Sequence, residues 1–407
     1  MTMKRPVFCL VLLVLWVLAL AGCGGDPAPT ETSQTLPQPT QTETVPTETE
    51  APDPLDALLA GMTLREKVGQ LFIVRPDALD PAQPLAQVSD SNAAGVTSLT
   101  DALKDTLAEY PVGGIILFSK NITSPEQVTA FNAAFQAYST IPMFLSVDEE
   151  GGAVARLANH SAFNLPTYKS AAAVGAGGDA SAALEMGHTI GAYLKQYGFN
   201  MDFAPVADVN TNPSNPIIGT RAFSSDPETA AQMAGAMADG LNSQGIIAVF
   251  KHFPGHGDTA EDSHFGLAVS DKTEAEMREC EWIPFLEAGS GDFIMVGHIA
   301  VPEITGDMTP ATLSDQVVTE ILKERMDFRG LVITDALEMG AITEGYTSGE
   351  TAVAALRAGC DILLMPQDLQ EAFDAVMAAV EDGTLSQEWL DNTVRRILEF
   401  KQAHGIL

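Results

Sequence analysis

Eight short apolar runs, alternating with longer amphipathic stretches, constrain this chain more than any other feature. They fall at residues 71–74, 114–118, 143–147, 201–204, 246–250, 293–296, 331–334 and 362–365. Each is too short for a buried helix and rich enough in Ile, Val, Phe and Leu for a strand buried on both faces. Between them, residues 125–138, 180–197, 227–244, 274–288 and 348–358 carry helical apolar spacing, and 390–404 suits a final helix. Thr63 with Glu66 reads as a capping box that opens an earlier one. Strands alternating with helices predict parallel βαβ units. Right-handed crossovers then close most simply into an α/β fold of the (β/α)₈ TIM-barrel type, a single domain over residues 56–407. An open doubly wound sheet is the competing architecture.

Two other segments flank this reading. Lys4 and Arg5 precede an apolar stretch over residues 7–21, shorter than the ~20 residues that span a bilayer. Leu20-Ala21-Gly22-Cys23 follows and resembles a bacterial lipobox. Residues 1–22 are therefore expected to be a lipoprotein signal peptide and Cys23 the lipidated residue. An uncleaved anchor, or a cleaved signal with an incidental Cys, is the plainer alternative. Residues 23–55 are rich in Pro, Thr and Glu, and nothing in them supports a packed core. They read as a tether of up to about 90 Å if extended. The expected location is extracytoplasmic, lipid-anchored at the cell membrane, with the anchor as the sole membrane contact. The formal charge of −33 argues against nucleic-acid partners. Of four Cys, only Cys280 and Cys360 belong to the globular part, and Cys360 reads as a buried free thiol.

Polar residues follow the apolar runs in a consistent way. The third run ends at Asp148-Glu149-Glu150-Gly151-Gly152, with Arg156 soon after. The fourth leads to Asp208-Val209-Asn210 and then Gly219-Thr220-Arg221. The fifth ends in Lys251-His252-Phe253-Pro254-Gly255-His256-Gly257, then Asp262-Ser263-His264. The sixth meets Gly297-His298 and the seventh Asp335-Ala336-Leu337-Glu338-Met339. In a barrel these all face one rim. Such a lining of donors and acceptors suits a hydroxyl-rich ligand. The plain readings stay open beside this: Asp335 as a helix N-cap, His264 as a solvated loop residue, Lys251 as a surface lysine, His256 as structural, Met339 as core packing.

These motifs resemble the glycoside hydrolase family 3 β-N-acetylhexosaminidases of the bacterial NagZ type, over about residues 58–407. The resemblance implies roles residue by residue. Asp335 matches the catalytic nucleophile, His264 the acid/base and Asp262 its partner. Asp148, Arg156, Arg221, Lys251 and His252 match positions that hold the sugar hydroxyls. His298 matches a position near the pocket. Two positions depart from the family pattern: Glu149 stands where Gln is common, and Ala153 where Arg is frequent. Both are expected to border the pocket and bear on leaving-group specificity. The implied activity is retaining exo-hydrolysis of terminal β-linked N-acetylglucosamine from cell-wall glycans. The chain is expected to act as a monomer on carbohydrate, with no cofactor and no metal.

The chemistry is consistent with that resemblance. Retention needs a nucleophile and a group that first gives and then takes a proton. An imidazole titrates near neutrality and can do both. A carboxylate at Asp-x-His spacing favours its protonated form and fixes its tautomer. Gly255 and Gly257 are expected to let the loop swing. Other readings are a β-glucosidase or phosphorolytic relative, a hydrolase with zinc held among His252, His256 and His264 with Asp258, Asp262 and Asp335, and a non-catalytic sugar-binding lipoprotein.

Overall fold

The computed structural model describes residues 53–260 and 266–407. The expected signal peptide, Cys23 and almost all of the tether lie outside the described residues, as do Asp262 and His264.

Eight parallel strands form one sheet, here numbered β1 Phe72–Val74, β2 Gly114–Leu117, β3 Phe144–Val147, β4 Met201–Asp202, β5 Ile247–Phe253, β6 Phe293–Val296, β7 Leu331–Thr334 and β8 Leu363–Leu364. Neighbours follow chain order from β1 to β7, and β8 pairs with β1 in parallel. The ring closes where Ile333 bridges Ile362, with Thr334 N–H donating to the Ile362 carbonyl at 3.1 Å. This is the (β/α)₈ barrel, and the open-sheet alternative falls with the closure. Strand residues are buried throughout, which is why the runs read as continuous rather than alternating.

Most helices lie where the apolar spacing puts them. The observed spans are Pro125–Tyr138, Ala180–Gln196, Pro227–Ser243, Ser348–Ala358 and Gln387–Ala403. The Thr63 capping box is present: Thr63 Oγ1 accepts from Glu66 N–H at 3.3 Å and Glu66 Oε2 accepts from Thr63 N–H at 2.7 Å. One helix differs from expectation. The stretch 274–288 is helical only at Glu274–Glu279, followed by a 3₁₀ turn at Pro284–Glu287. Pro284 has no N–H to continue an α-helix, and Trp282 N–H instead turns back to the Met277 carbonyl.

The helices Ala180–Gln196 and Pro227–Ser243 approach so closely that a Cβ on Gly187 would lie 2.1 Å from the Met237 carbonyl. At the N-terminal end of the barrel, Phe144, Phe293 and Phe400 pack ring to ring, with the Phe293 and Phe400 centroids 4.9 Å apart. That plug leaves the opposite, C-terminal rim as the place where strand-end side chains meet open space. Cys280 and Cys360 are both free thiols, and burial pushes the Cys360 thiol up to about 12.

Candidate active site

Strand ends bring Asp148, Lys251 and Asp335 to the C-terminal rim, around one cavity of about 220 Å³. Glu150, Arg156, Arg221, His252 and His256 also line it. Of the pocket residues expected from the sequence, Asp262 and His264 lie outside the described residues.

The β3 end supplies the acids. Asp148 follows Val147, and the chain turns at once into a small antiparallel hairpin, Glu149–Gly151 with Val154–Ala155. Gly151 and Gly152 both adopt positive φ there, +77° and +73°, a conformation glycine takes without a Cβ penalty. The hairpin returns Arg156 to the pocket, where its Nη2 lies 3.2 Å from Asp148 Oδ2.

Lysine and arginine complete an ion network. Lys251 Nζ lies 2.8 Å from Asp148 Oδ1 and 2.7 Å from Glu150 Oε1. Arg221 grips Glu150 with Nε at 2.9 Å and Nη2 at 2.7 Å, the two-point geometry a guanidinium favours. Burial alone would raise the Asp148 and Glu150 carboxyls. The Lys251 and Arg156 cations hold Asp148 well below its ordinary value, and Arg221 and Lys251 do the same for Glu150. Burial likewise opposes the charge on Lys251, yet Asp148 and Glu150 raise its pKa. The network is a set of fixed charges pointed at the cavity.

Behind it, Asp208 organises two histidines. It is fully buried and accepts from His252 Nδ1 at 2.7 Å and from the backbone N–H of His256 at 2.7 Å. The bond to Nδ1 leaves His252 Nε2 as the nitrogen for a ligand. Burial pushes the His256 imidazole below its ordinary value, with the neighbouring His252 adding to the effect.

Asp335 ends β7. Its backbone N–H donates to the Val296 carbonyl at 2.9 Å, and its Oδ1 accepts from Ala336 N–H at 2.8 Å. No helix begins there; the next one is Gly340–Thr343, with Met339 at its N-cap position. The N-cap reading of Asp335 therefore fails, and the carboxyl lines the pocket. His298 does not line it. His298 is buried beneath, with Nε2 2.9 Å from the Ala336 carbonyl and Nδ1 2.9 Å from Thr312 Oγ1, and so supports the backbone next to Asp335.

Five readings from the sequence change. Lys251 is buried in an ion network, so the surface-lysine reading falls. Glu149 was expected at the pocket border; it is fully buried and absent from the pocket lining, bonded to backbone instead. Ala153 is exposed at the hairpin tip. Gly255 and Gly257 are sites of close approach: a Cβ on Gly257 would lie 1.8 Å from the Val209 carbonyl, and Gly255, at φ +125°, abuts Glu281. His256, read as structural, lines the pocket.

Other residues at the site went unassigned in the sequence. Glu150 in the pocket and Asp208 behind it sit inside motifs already picked out. Arg75 directly follows β1, so the strand-end rule would have found it. Its guanidinium pairs with Glu338, contacts Met365 Sδ at 3.2 Å and stacks 3.7 Å over the Phe118 ring. Burial pushes the Glu338 carboxyl above its ordinary value, against the pull of Arg75.

Barrel and pocket together are those of a (β/α)₈ enzyme, with the polar groups at the C-terminal rim. The chain belongs to family 3 of the glycosyl hydrolases: the model described as the Glycosyl hydrolase family 3 N terminal domain matches residues 63–400. It is 32% identical over 335 residues to the beta-hexosaminidase A of Pseudoalteromonas piscicida, covering 76% of this chain and 56% of that one. To the beta-hexosaminidase of Chromobacterium violaceum it is 35% identical over 292 residues, covering 70% and 79%. The solved structure of a glycoside hydrolase family 3 beta-N-acetylglucosaminidase from Paenibacillus sp. str. FPU-7 superposes with a TM-score of 0.76 at 36% identity, covering 85% of this chain and 63% of that one. The chain thus spans a little over half of the first relative's length and under two thirds of the last.

Proposed function

We propose that this chain is a retaining exo-β-N-acetylglucosaminidase acting on cell-wall-derived glycans. The observation that carries the reading is the facing of Asp335 into the same small pocket as the Asp148–Lys251–Glu150 network. The names of the related proteins support the sugar.

In this reading Asp148, Arg156, Arg221, Lys251 and His252 bind the hydroxyls of the terminal sugar. Fixed, desolvated charges do so without reorganising at the moment of reaction. The Asp335 carboxylate attacks the anomeric carbon and forms a glycosyl-enzyme. His264, oriented by Asp262, protonates the leaving oxygen, then takes a proton from the attacking water. These two roles rest on the sequence motif. No cofactor takes part. The pocket is small enough to select a chain end, which favours exo-cleavage.

The same reading places the protein outside the cytoplasm, lipidated at Cys23 and held to the membrane by that lipid, with the barrel working as a monomer on carbohydrate. The support is the lipobox pattern and the Pro/Thr/Glu-rich stretch after it. Replacing Cys23 by Ser should release the protein from the membrane fraction; retention there would end the anchor proposal.

The decisive assay compares 4-nitrophenyl β-N-acetylglucosaminide with the β-glucoside, for wild type and Asp335→Ala. Preference for the first, lost in the variant, is the expected result. Preference for the glucoside would move the assignment to a β-glucosidase, and a rate that depends on added phosphate to a phosphorylase. Cleavage of neither by wild type would defeat the enzymatic reading.

A further inference from the structure

Glu149 is fully buried behind the pocket, and each of its carboxylate oxygens accepts from one short piece of backbone. Its Oε2 accepts from Leu157 N–H at 2.9 Å and its Oε1 from Ala158 N–H at 2.8 Å. The Tyr193 hydroxyl donates to Oε1 at 2.8 Å. Its own N–H donates to Asp202 Oδ1 at 2.9 Å, so the main chain at Glu149 is pinned as well. Leu157 and Ala158 immediately follow Arg156, and Glu149 pairs with Ala155 across the hairpin.

Arg156 is held much more loosely at its own end. Its guanidinium has one ion pair, to Asp148 at 3.2 Å, and lies 5.1 Å from the Phe118 ring centroid. Its buried Nε has no partner among the described residues. The direction of so flexible a side chain must come largely from where its backbone is fixed. We propose that Glu149 is a positioning residue: its carboxylate clamps the backbone just beyond Arg156 and so aims that guanidinium into the sugar pocket. This rests on the role given to Arg156 above.

The residue type matters. Three donors converge on Glu149, and a carboxylate accepts from all three with no proton of its own. Glutamine at this position offers one acceptor oxygen, and its NH₂ must then oppose one of the N–H groups. Alanine offers nothing and takes the acceptor from the buried Leu157 N–H and the part-buried Ala158 N–H.

The test measures kcat and KM on 4-nitrophenyl β-N-acetylglucosaminide for wild type, Glu149→Gln and Glu149→Ala. Amide hydrogen exchange at Leu157 and Ala158 is followed in parallel, with circular dichroism to establish folding. The expected outcome is a KM raised about tenfold in the alanine variant, as for a mispositioned charged hydrogen bond. The kcat should change far less, glutamine should fall between, and exchange should speed up at both amides. A folded alanine variant with wild-type KM, or with wild-type exchange at Leu157 and Ala158, overturns the proposal. Should alanine fail to fold, the glutamine variant decides by the same two readings. Wild type that cleaves neither glycoside would defeat the function proposed above, and the exchange readout would still decide whether the clamp exists.

Discussion

Lys251 Nζ and Asp148 Oδ1 meet at 2.8 Å across a chain separation of 103 residues. Lys251 lies near the end of β5 and Asp148 directly follows β3, and Glu150 shares the same ammonium at 2.7 Å. Removing one member of a buried ion pair leaves the other desolvated and uncompensated. Lys251→Met is therefore expected to lose about 3–5 kcal/mol of stability at pH 7. The sign of the pH dependence follows from the depressed Asp148 and Glu150 carboxyls. A carboxyl depressed in the folded state adds stability above its unfolded value, and that stability is lost as pH falls through the folded value. The variant's deficit should shrink as pH drops below about 4. Urea unfolding of both proteins at pH 7 and pH 2.5 checks this, and a deficit equal at both refutes it.

The Asp335 carboxyl accepts from the adjacent Ala336 N–H and lines the cavity. Asp335→Asn keeps the shape and removes the proposed nucleophile. Activity should fall on the order of 10⁴-fold or more, with little change in melting temperature. A variant within tenfold of wild type would exclude Asp335 as the attacking group.

Asp208 accepts from His252 Nδ1 and from the backbone N–H groups of His252 and His256. Asp208→Asn turns an NH₂ toward at least one of these donors. The cost is expected to be about 1–3 kcal/mol in stability, with the His252 ring forced to the other tautomer. Nitrogen-15 imidazole spectra report the tautomer directly. An unchanged His252 spectrum would show that Asp208 does not set it.

Lys401 is buried at the closed end of the barrel, its Nζ bonded to Gln70 Oε1 at 2.7 Å and to the Gly113 carbonyl at 3.1 Å. It also stands 4.7 Å from the Phe144 ring centroid. Burial nonetheless pulls its pKa down to about 7. Unfolded, the amine titrates near ~10.4. Between these values the unfolded chain binds more protons, so stability rises with pH. The stability of wild type relative to Lys401→Met should be flat below pH 7 and climb toward pH 10. Thermal unfolding at pH 6, 8 and 9.5 measures it, and a flat difference across the range would contradict the burial argument.

A chelator should leave activity intact. The carboxylate oxygens nearest Lys251 are already occupied by its ammonium. Among the described residues, no three His, Cys, Asp or Glu side chains gather as a metal site. Loss of activity after dialysis against EDTA, restored by zinc, would revive the metal-dependent reading.

The sequence by itself determined eight strands alternating with helices, because each strand is buried on both faces and shows as a largely apolar run; the closure into a ring rather than an open sheet was decided by the tertiary structure. The sequence also named Asp148, Lys251 and Asp335, since polar residues just past such runs have one rim to reach. What it left open depended on side-chain direction. Glu149 and Glu150 are adjacent and chemically alike, yet one clamps backbone behind the pocket and the other holds Lys251 and Arg221 within it. Successive residues in extended chain point to opposite sides, and only the packed barrel decides which side is the cavity. Arg75 and Glu338 went unassigned for a related reason: their pairing joins β1 to the segment after β7, residues 263 apart that become neighbours once the ring of strands has closed.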